Sequence, residues 1–266
     1  MRIARFSLPD TANDAGSVRF GLVEGDPEQP ATMVIAELAG HPFTPEPQPT
    51  GRAWPLAEVR LLAPVLPSKI AAIGRNYADH AKELGNEVPD APITFLKPST
   101  SVIGPNETIA YPVFSQDVQH EAELAIVIGR LCSQVPRERV HECILGYTCA
   151  NDVTARDAQK AEGQWARAKG FDTSCPIGPW IETELDPSDL ALTCTLNDEL
   201  KQAGRTSQMM RGVEELVAFI SEAMTLLPGD VILTGTPAGV GPMQVGDRVS
   251  VSIEGIGTLT NRIVKR

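Results

Sequence analysis

What this chain of 266 residues lacks narrows its function first. Its cysteines, Cys132, Cys143, Cys149, Cys175 and Cys194, are odd in number, and no two have CxxC spacing. That argues against a disulfide framework and against a zinc ribbon. They read instead as small buried apolar residues in a reducing compartment. No run approaches the ~18 apolar residues of a transmembrane span, and the opening stretch MRIARFSLPD has no apolar signal region. A cytoplasmic protein without a membrane partner is expected. Basic residues are also short, 23 against 34 acidic ones, for a net charge of −11. Such a surface repels phosphate backbones, so nucleic acid is not an expected partner. A local cluster can still hold an anionic small molecule.

Several familiar motifs are missing too. GTPAGVGP (Gly235 to Pro242) is glycine-rich, but no Lys-Ser/Thr follows it and it lacks G-x-G-x-x-G spacing. It is neither a Walker A loop nor a dinucleotide loop. There is no G-x-S-x-G elbow, no internal repeat and no low-complexity segment.

What is present is mostly strand. Residues 1–65 read as a small β-rich domain: RIARFSL, SVRFGLVEG and ATMVIAEL are β-prone runs separated by turn residues. The proline-rich GHPFTPEPQPTG (Gly40 to Gly51) reads as a surface loop, and LLAPVLPSKI (Leu61 to Ile70) as a linker. Residues 66–266 form the larger domain. KIAAIG, ELAIVIG, ILGYTCAND and VILTGT read as strands, and DRVSVSIEGIGTLTNRI as a hairpin. GVEELVAFISEAMTL is the best helix: Val213, Leu216, Val217, Ile220 and Met224 share one face, best explained by core packing. RNYADHAKELG (Arg75 to Gly85) is helix-prone but polar. Strands outnumber helices without βαβ alternation, so the pattern predicts a mixed, β-rich α+β architecture.

The stretch HEAELAIVIG (His120 to Gly129) holds two carboxylates at the mouth of an apolar run. Side chains alternate along a strand. Glu121 and Glu123 therefore share a face with Ala125 and Val127, while Leu124, Ile126 and Ile128 take the other. Two like charges beside a doubly covered strand are costly unless a cation pairs with them, and oxygen-only donors suit Mg²⁺ or Mn²⁺. The alternative is a strand that begins at Leu124, with both glutamates in a solvated turn. A third donor comes from CANDVTARDAQ: Asp152 ends an apolar stretch where a strand would emerge into a site. Asp157 is a second possibility, or it pairs with Arg156. Asn151 could turn or cap the chain.

GRNYADH, HEAELAIVIG, ANDVTARDAQ, QWARAKGFDTSCPIGPW and LLPGDVILTGTPAGVGP follow one another in this order. Together they resemble the fumarylacetoacetate hydrolase family over about residues 67–266, and the short N-terminal domain resembles its prokaryotic layout. The resemblance implies a β-roll catalytic domain and a homodimer. It implies one Mg²⁺ or Mn²⁺ held by Glu121, Glu123 and Asp152, and a small enolisable 2-oxo acid as substrate. Lys169 corresponds to a site lysine. Gln159, Thr236 and the backbone of Gly235 correspond to groups that hold substrate oxygens, and Arg75, Asn76 and Tyr77 to the mouth of the site. His80 and Glu83, three apart and so on one helix face, correspond to a lid pair in which the glutamate orients a histidine base.

The implied reaction is hydrolytic C–C cleavage of an acylpyruvate. Oxaloacetate decarboxylation and isomerisation of a hydroxyheptadienedioate in aromatic catabolism are alternatives, because one enolate serves all three. A family member that only binds metal or ligand is the alternative of another class. Ser174 stands where the family often has a bulkier residue, and Asp198 where it commonly has a turn glycine. Both bear on substrate identity, since neither removes a ligand.

Overall fold

The computed structural model describes residues 1–9, 17–26, 29–44, 47–83, 85 and 87–266. Its backbone is a twelve-stranded sheet. The centre is an antiparallel pair, Ala122–Ile128 against Ile144–Asn151, in a register that sets Glu123 opposite Ala150. On one side Val231–Leu233 follows, and then Ile70–Gly74 parallel to it. On the other, Cys175–Glu182 leads to Arg2–Ser7. The N-terminal strands thus extend the same sheet. The stretch expected as a linker is packed: Ala63 and Val65 are buried, and Arg60–Leu62 pairs with Arg5–Ser7. The expected proline-rich loop becomes strand from Gln48 onward, and residues 45 and 46 lie outside the described ones. A five-stranded sheet carries the C-terminal hairpin, Arg248–Ile253 with Gly257–Lys265. This is the β-rich α+β architecture the strand pattern predicts.

The central strand behaves as its alternation dictates. All seven residues of Ala122–Ile128 are buried. Leu124, Ile126 and Ile128 join the larger apolar cluster on one face. Ala125 and Val127, on the face of Glu123, join a second cluster with Ile70, Val231 and Leu233 on the other. Enclosure on both sides leaves the carboxylates at its start buried.

Among the described residues four α-helices accompany the sheets: α1 (Ala78–Glu83), α2 (Arg156–Glu162), α3 (Ala166–Lys169) and α4 (Val213–Ala223). α4 is the amphipathic helix of the sequence pattern, with Val213, Leu216, Val217 and Ile220 buried. α1 is shorter than RNYADHAKELG suggested, because Arg75, Asn76 and Tyr77 leave the strand before the helix begins. Asn76 bonds Thr234 and Arg211, and Arg75 is held at φ 57°. Residue 84 lies outside the described ones. Among the described residues no helix is long and apolar enough to cross a membrane.

Candidate active site

Glu121 lies in the break between the strand Val118–His120 and Ala122–Ile128, and Glu123 is the second residue of the latter. Asp152 follows Ile144–Asn151 directly. Its amide donates to the Glu121 carbonyl at 2.9 Å, so the ladder itself brings the third carboxylate to the other two. One oxygen from each lies within 4.8 Å of the others, and all three residues are buried. The solvated-turn alternative for the glutamates is thereby excluded. Asp157 is not the third partner. Its carboxylate accepts from Ser115 Oγ at 2.6 Å and the Gln116 amide at 2.8 Å, and Arg156 pairs with Glu121 instead, at 2.5 Å.

Three cations face the three carboxylates. Lys169 Nζ, at the end of α3, donates to Glu121 at 2.6 Å and to Asp152 at 2.7 Å. Lys97 Nζ donates to the other oxygen of Asp152 at 2.6 Å and also to the Lys169 carbonyl. Arg156 completes the set. Among these cations, sequence reading missed the roles of Lys97 and Arg156. Lys97 has a signal: a lysine closing the apolar strand Ile93–Lys97, and fully buried there. A buried lysine is rare without a partner, and Lys97 is the buried residue of a strand whose other members are half-buried or exposed, so it calls for a carboxylate. Arg156 sits on α2 one turn from Gln159, and bonds its Oε1 at 2.5 Å.

The carboxylates are not equivalent. Burial opposes ionisation of Glu121, but Lys169 and then Arg156 overcome it and hold its carboxyl well below the ordinary carboxylate range. Glu123 lacks such a partner. Burial, then Asp152, then Glu121 push its carboxyl well above that range. It accepts a hydrogen bond from the Gly235 amide, at 2.6 Å. Gly235 sits at φ +98°, and a Cβ there would lie 2.7 Å from the Asn76 Cβ, so glycine lets this backbone pack against Asn76 while its amide faces Glu123. The donor set is three buried hard oxygens with a cation already spanning two of them. That chemistry fits a small divalent ion.

A cavity of about 230 Å³ opens over this cluster. Its walls include Arg75, His80, Glu121, Glu123, Gln159, Lys169 and Thr236 among the expected residues, and Gly74, Arg156, Lys160 and Trp165 besides. His80 Nδ1 lies 3.3 Å from Glu83 Oε2, and Glu83 Oε1 accepts from the Gly239 amide at 2.9 Å. The pair is therefore tied to the GTPAGVG loop. Thr236 donates to the Ala122 carbonyl at 2.7 Å and accepts from Gln202 at 2.8 Å. Gln202 also accepts from the Ala122 amide at 3.0 Å, so it fixes the loop to the carboxylate strand. Tyr77 is not among the cavity walls. It is buried, and burial followed by the Glu123 charge raises its phenol above the ordinary value. Ser174 is buried and donates to the Lys169 carbonyl at 2.8 Å. Asn197 and Asp198 form a turn at positive φ, where Asp198 pairs with Arg248, away from the cavity walls.

Residues 69–264 match the fumarylacetoacetate (FAA) hydrolase C-terminal family. The chain belongs to the fumarylacetoacetate hydrolase family. Residues 1–64 match a second family, Rv2993c-like, N-terminal. A crystal structure of 2-hydroxyhepta-2,4-diene-1,7-dioate isomerase from Mycobacterium marinum is 52% identical with a TM-score of 0.91, covering 100% of this chain and 99% of that one. One of 5-carboxymethyl-2-hydroxymuconate delta-isomerase from Mycobacterium smegmatis is 53% identical, also at 0.91, covering 100% of both. The rat mitochondrial oxaloacetate tautomerase Fahd2a is 37% identical over 99% of this chain and 92% of its own length. The fold is thus that of the fumarylacetoacetate hydrolase family, and these relatives are named as two isomerases and a tautomerase.

Proposed function

We propose that this protein moves a proton at the carbon beside a 2-oxo group, interconverting keto and enol forms of a small 2-oxo acid. The observation that carries this reading is that His80 lines the same cavity as Glu121, Glu123 and Lys169. Glu121, Glu123 and Asp152 are the residues that would hold Mg²⁺ or Mn²⁺. Such an ion, when bound, supplies a Lewis acid that lowers the cost of negative charge on the 2-oxo oxygen.

The chain's own residues do the rest. Glu83 takes the Nδ1 hydrogen of His80, which leaves Nε2 as the base. Nε2 removes the proton beside the carbonyl and returns it to the same carbon or to a conjugated one. Lys169 places a buried positive charge beside the carboxylates, where it balances charge on the substrate. Gln159 spends its Oε1 on Arg156, leaving its Nε2 to donate to a substrate oxygen. The Gly235 amide and the Thr236 hydroxyl are committed to Glu123 and Ala122, so through those groups they shape the site. The isomerase and tautomerase relatives support proton transfer as the reaction.

Hydrolytic cleavage of an acylpyruvate is the second reading. The same oriented imidazole could draw its proton from water. Product identity separates the two. With Mg²⁺ in D₂O, proton transfer gives deuterium at C3 of an intact 2-oxo acid, whereas hydrolysis of acetylpyruvate gives pyruvate and acetate. Cleavage without C3 exchange would favour the hydrolase, and neither outcome would remove both readings.

A further inference from the structure

We propose that Lys160, with Arg75, forms a second anion subsite at the mouth of the cavity, which selects 2-oxo acids bearing a second carboxylate. The inference rests on the reading of the cavity as a 2-oxo acid site, and it names which member of that class fits.

The argument is one of charge placement. The inner cations are all engaged: Lys97 with Asp152, Lys169 with Asp152 and Glu121, and Arg156 with Glu121. Arg75 and Lys160 also line the cavity, yet among the described residues neither has an ion pair or a side-chain hydrogen bond. In a chain of net charge −11, two cations left unneutralised beside one cavity mark a place for an anion that is not part of the protein.

Local structure holds both in place. Arg156, Gln159 and Lys160 fall at i, i+3 and i+4 of α2, so they share one helix face, and all three line the cavity. The carboxylate one turn before Lys160 on this helix, Asp157, accepts from Ser115 and Gln116 instead, and Glu162 is taken by Arg167. Arg75 adopts φ 57°, a conformation that costs a non-glycine residue energy and persists where the surroundings impose it. They do so here through Asn76, which is bonded to Thr234 and Arg211.

Burial then sets depth. Glu121, Glu123 and Lys169 are buried, Arg75 is half-buried and Lys160 is exposed. Trp165, packed edge-on against Phe95, offers apolar wall. One 2-oxo acid head satisfies the inner cluster, so a second carboxylate on the same molecule would reach outward to Arg75 and Lys160.

The test uses a matched pair of probes. Oxaloacetate and 2-oxobutyrate share a four-carbon 2-oxo acid skeleton and differ at C4, carboxylate against methyl. Their Kd values are measured on the whole protein with Mg²⁺, by quenching of tryptophan fluorescence. Wild type should bind the dicarboxylate ~10-fold or more tightly than the monocarboxylate, the value of one charge-assisted contact. Lys160→Met should cut that ratio several-fold, Lys160→Arg should keep it, and added salt should reduce it because the subsite is exposed. An unchanged ratio in Lys160→Met, or equal weakening of both compounds, would overturn the proposal. If wild type exchanges C3 hydrogen in neither compound, the proton-transfer reading fails, and the Kd ratio still decides the subsite.

Discussion

Glu123→Gln should make the metal-free protein more stable, although it removes a residue at the centre of the site. Glu123 has Glu121 and Asp152 oxygens within 4.8 Å. At an effective dielectric of about 20, each full charge at that range repels by about 3.5 kcal/mol. Lys169 offsets part of this. Protonation caps the rest: holding a proton at pH 7 on a carboxyl whose ordinary value is 4.5 costs at most about 3 kcal/mol. Glutamine carries no charge, keeps an oxygen for the Gly235 amide, and can donate its NH₂ to either neighbouring carboxylate.

The sign follows from the direction of the shift. A carboxyl raised in the folded state binds more protons folded than unfolded above its ordinary value. Its penalty is absent below pH 4.5 and grows as pH rises. Melting in chelator should show Glu123→Gln matching wild type near pH 4 and exceeding it at pH 8. A gain of 1–3 kcal/mol corresponds to about 2–4 °C per kcal/mol. Mg²⁺ should raise the melting temperature of wild type more than that of the variant. A variant less stable than wild type at pH 8, or a difference that does not change with pH, would refute the electrostatic account.

Two further outcomes follow from the same geometry. Lys97→Met breaks a fully buried ion pair with Asp152 and should cost about 3–5 kcal/mol in urea unfolding; a loss under 1 kcal/mol would mean that the pair is not holding the site. His80→Asn should slow C3 exchange by ~10²–10⁴ while leaving the Mg²⁺ Kd from calorimetry within a few-fold, and parallel loss of both would make His80 structural.

Some of this site could be read in the sequence for physical reasons. Strand alternation places Glu121 and Glu123 on one face whatever surrounds them, and the structure divides the neighbouring apolar residues between two clusters on that rule. Asp152 was within reach because an apolar run ending in an acid marks a strand emerging into something polar. The counter-charges were harder. Arg156 falls in a helix-prone stretch beside Asp157, where a local pair is the simple expectation. Its actual partner, Glu121, is 35 residues away and is chosen by tertiary packing. Lys97 pairs across 55 residues. The N-terminal strands illustrate the same limit. Their β character was local, but their union with the strand Cys175–Glu182 through Ile3 and Ile181 is a contact that no window of sequence contains.

The most direct test of the central claim is deuterium exchange at C3 of a 2-oxo acid, followed by NMR with and without Mg²⁺, in wild type and in Asp152→Asn. The account predicts exchange in wild type that depends on Mg²⁺, and loss of both exchange and Mg²⁺ binding in the variant. Exchange that persists in Asp152→Asn, or that ignores chelator in wild type, would contradict it.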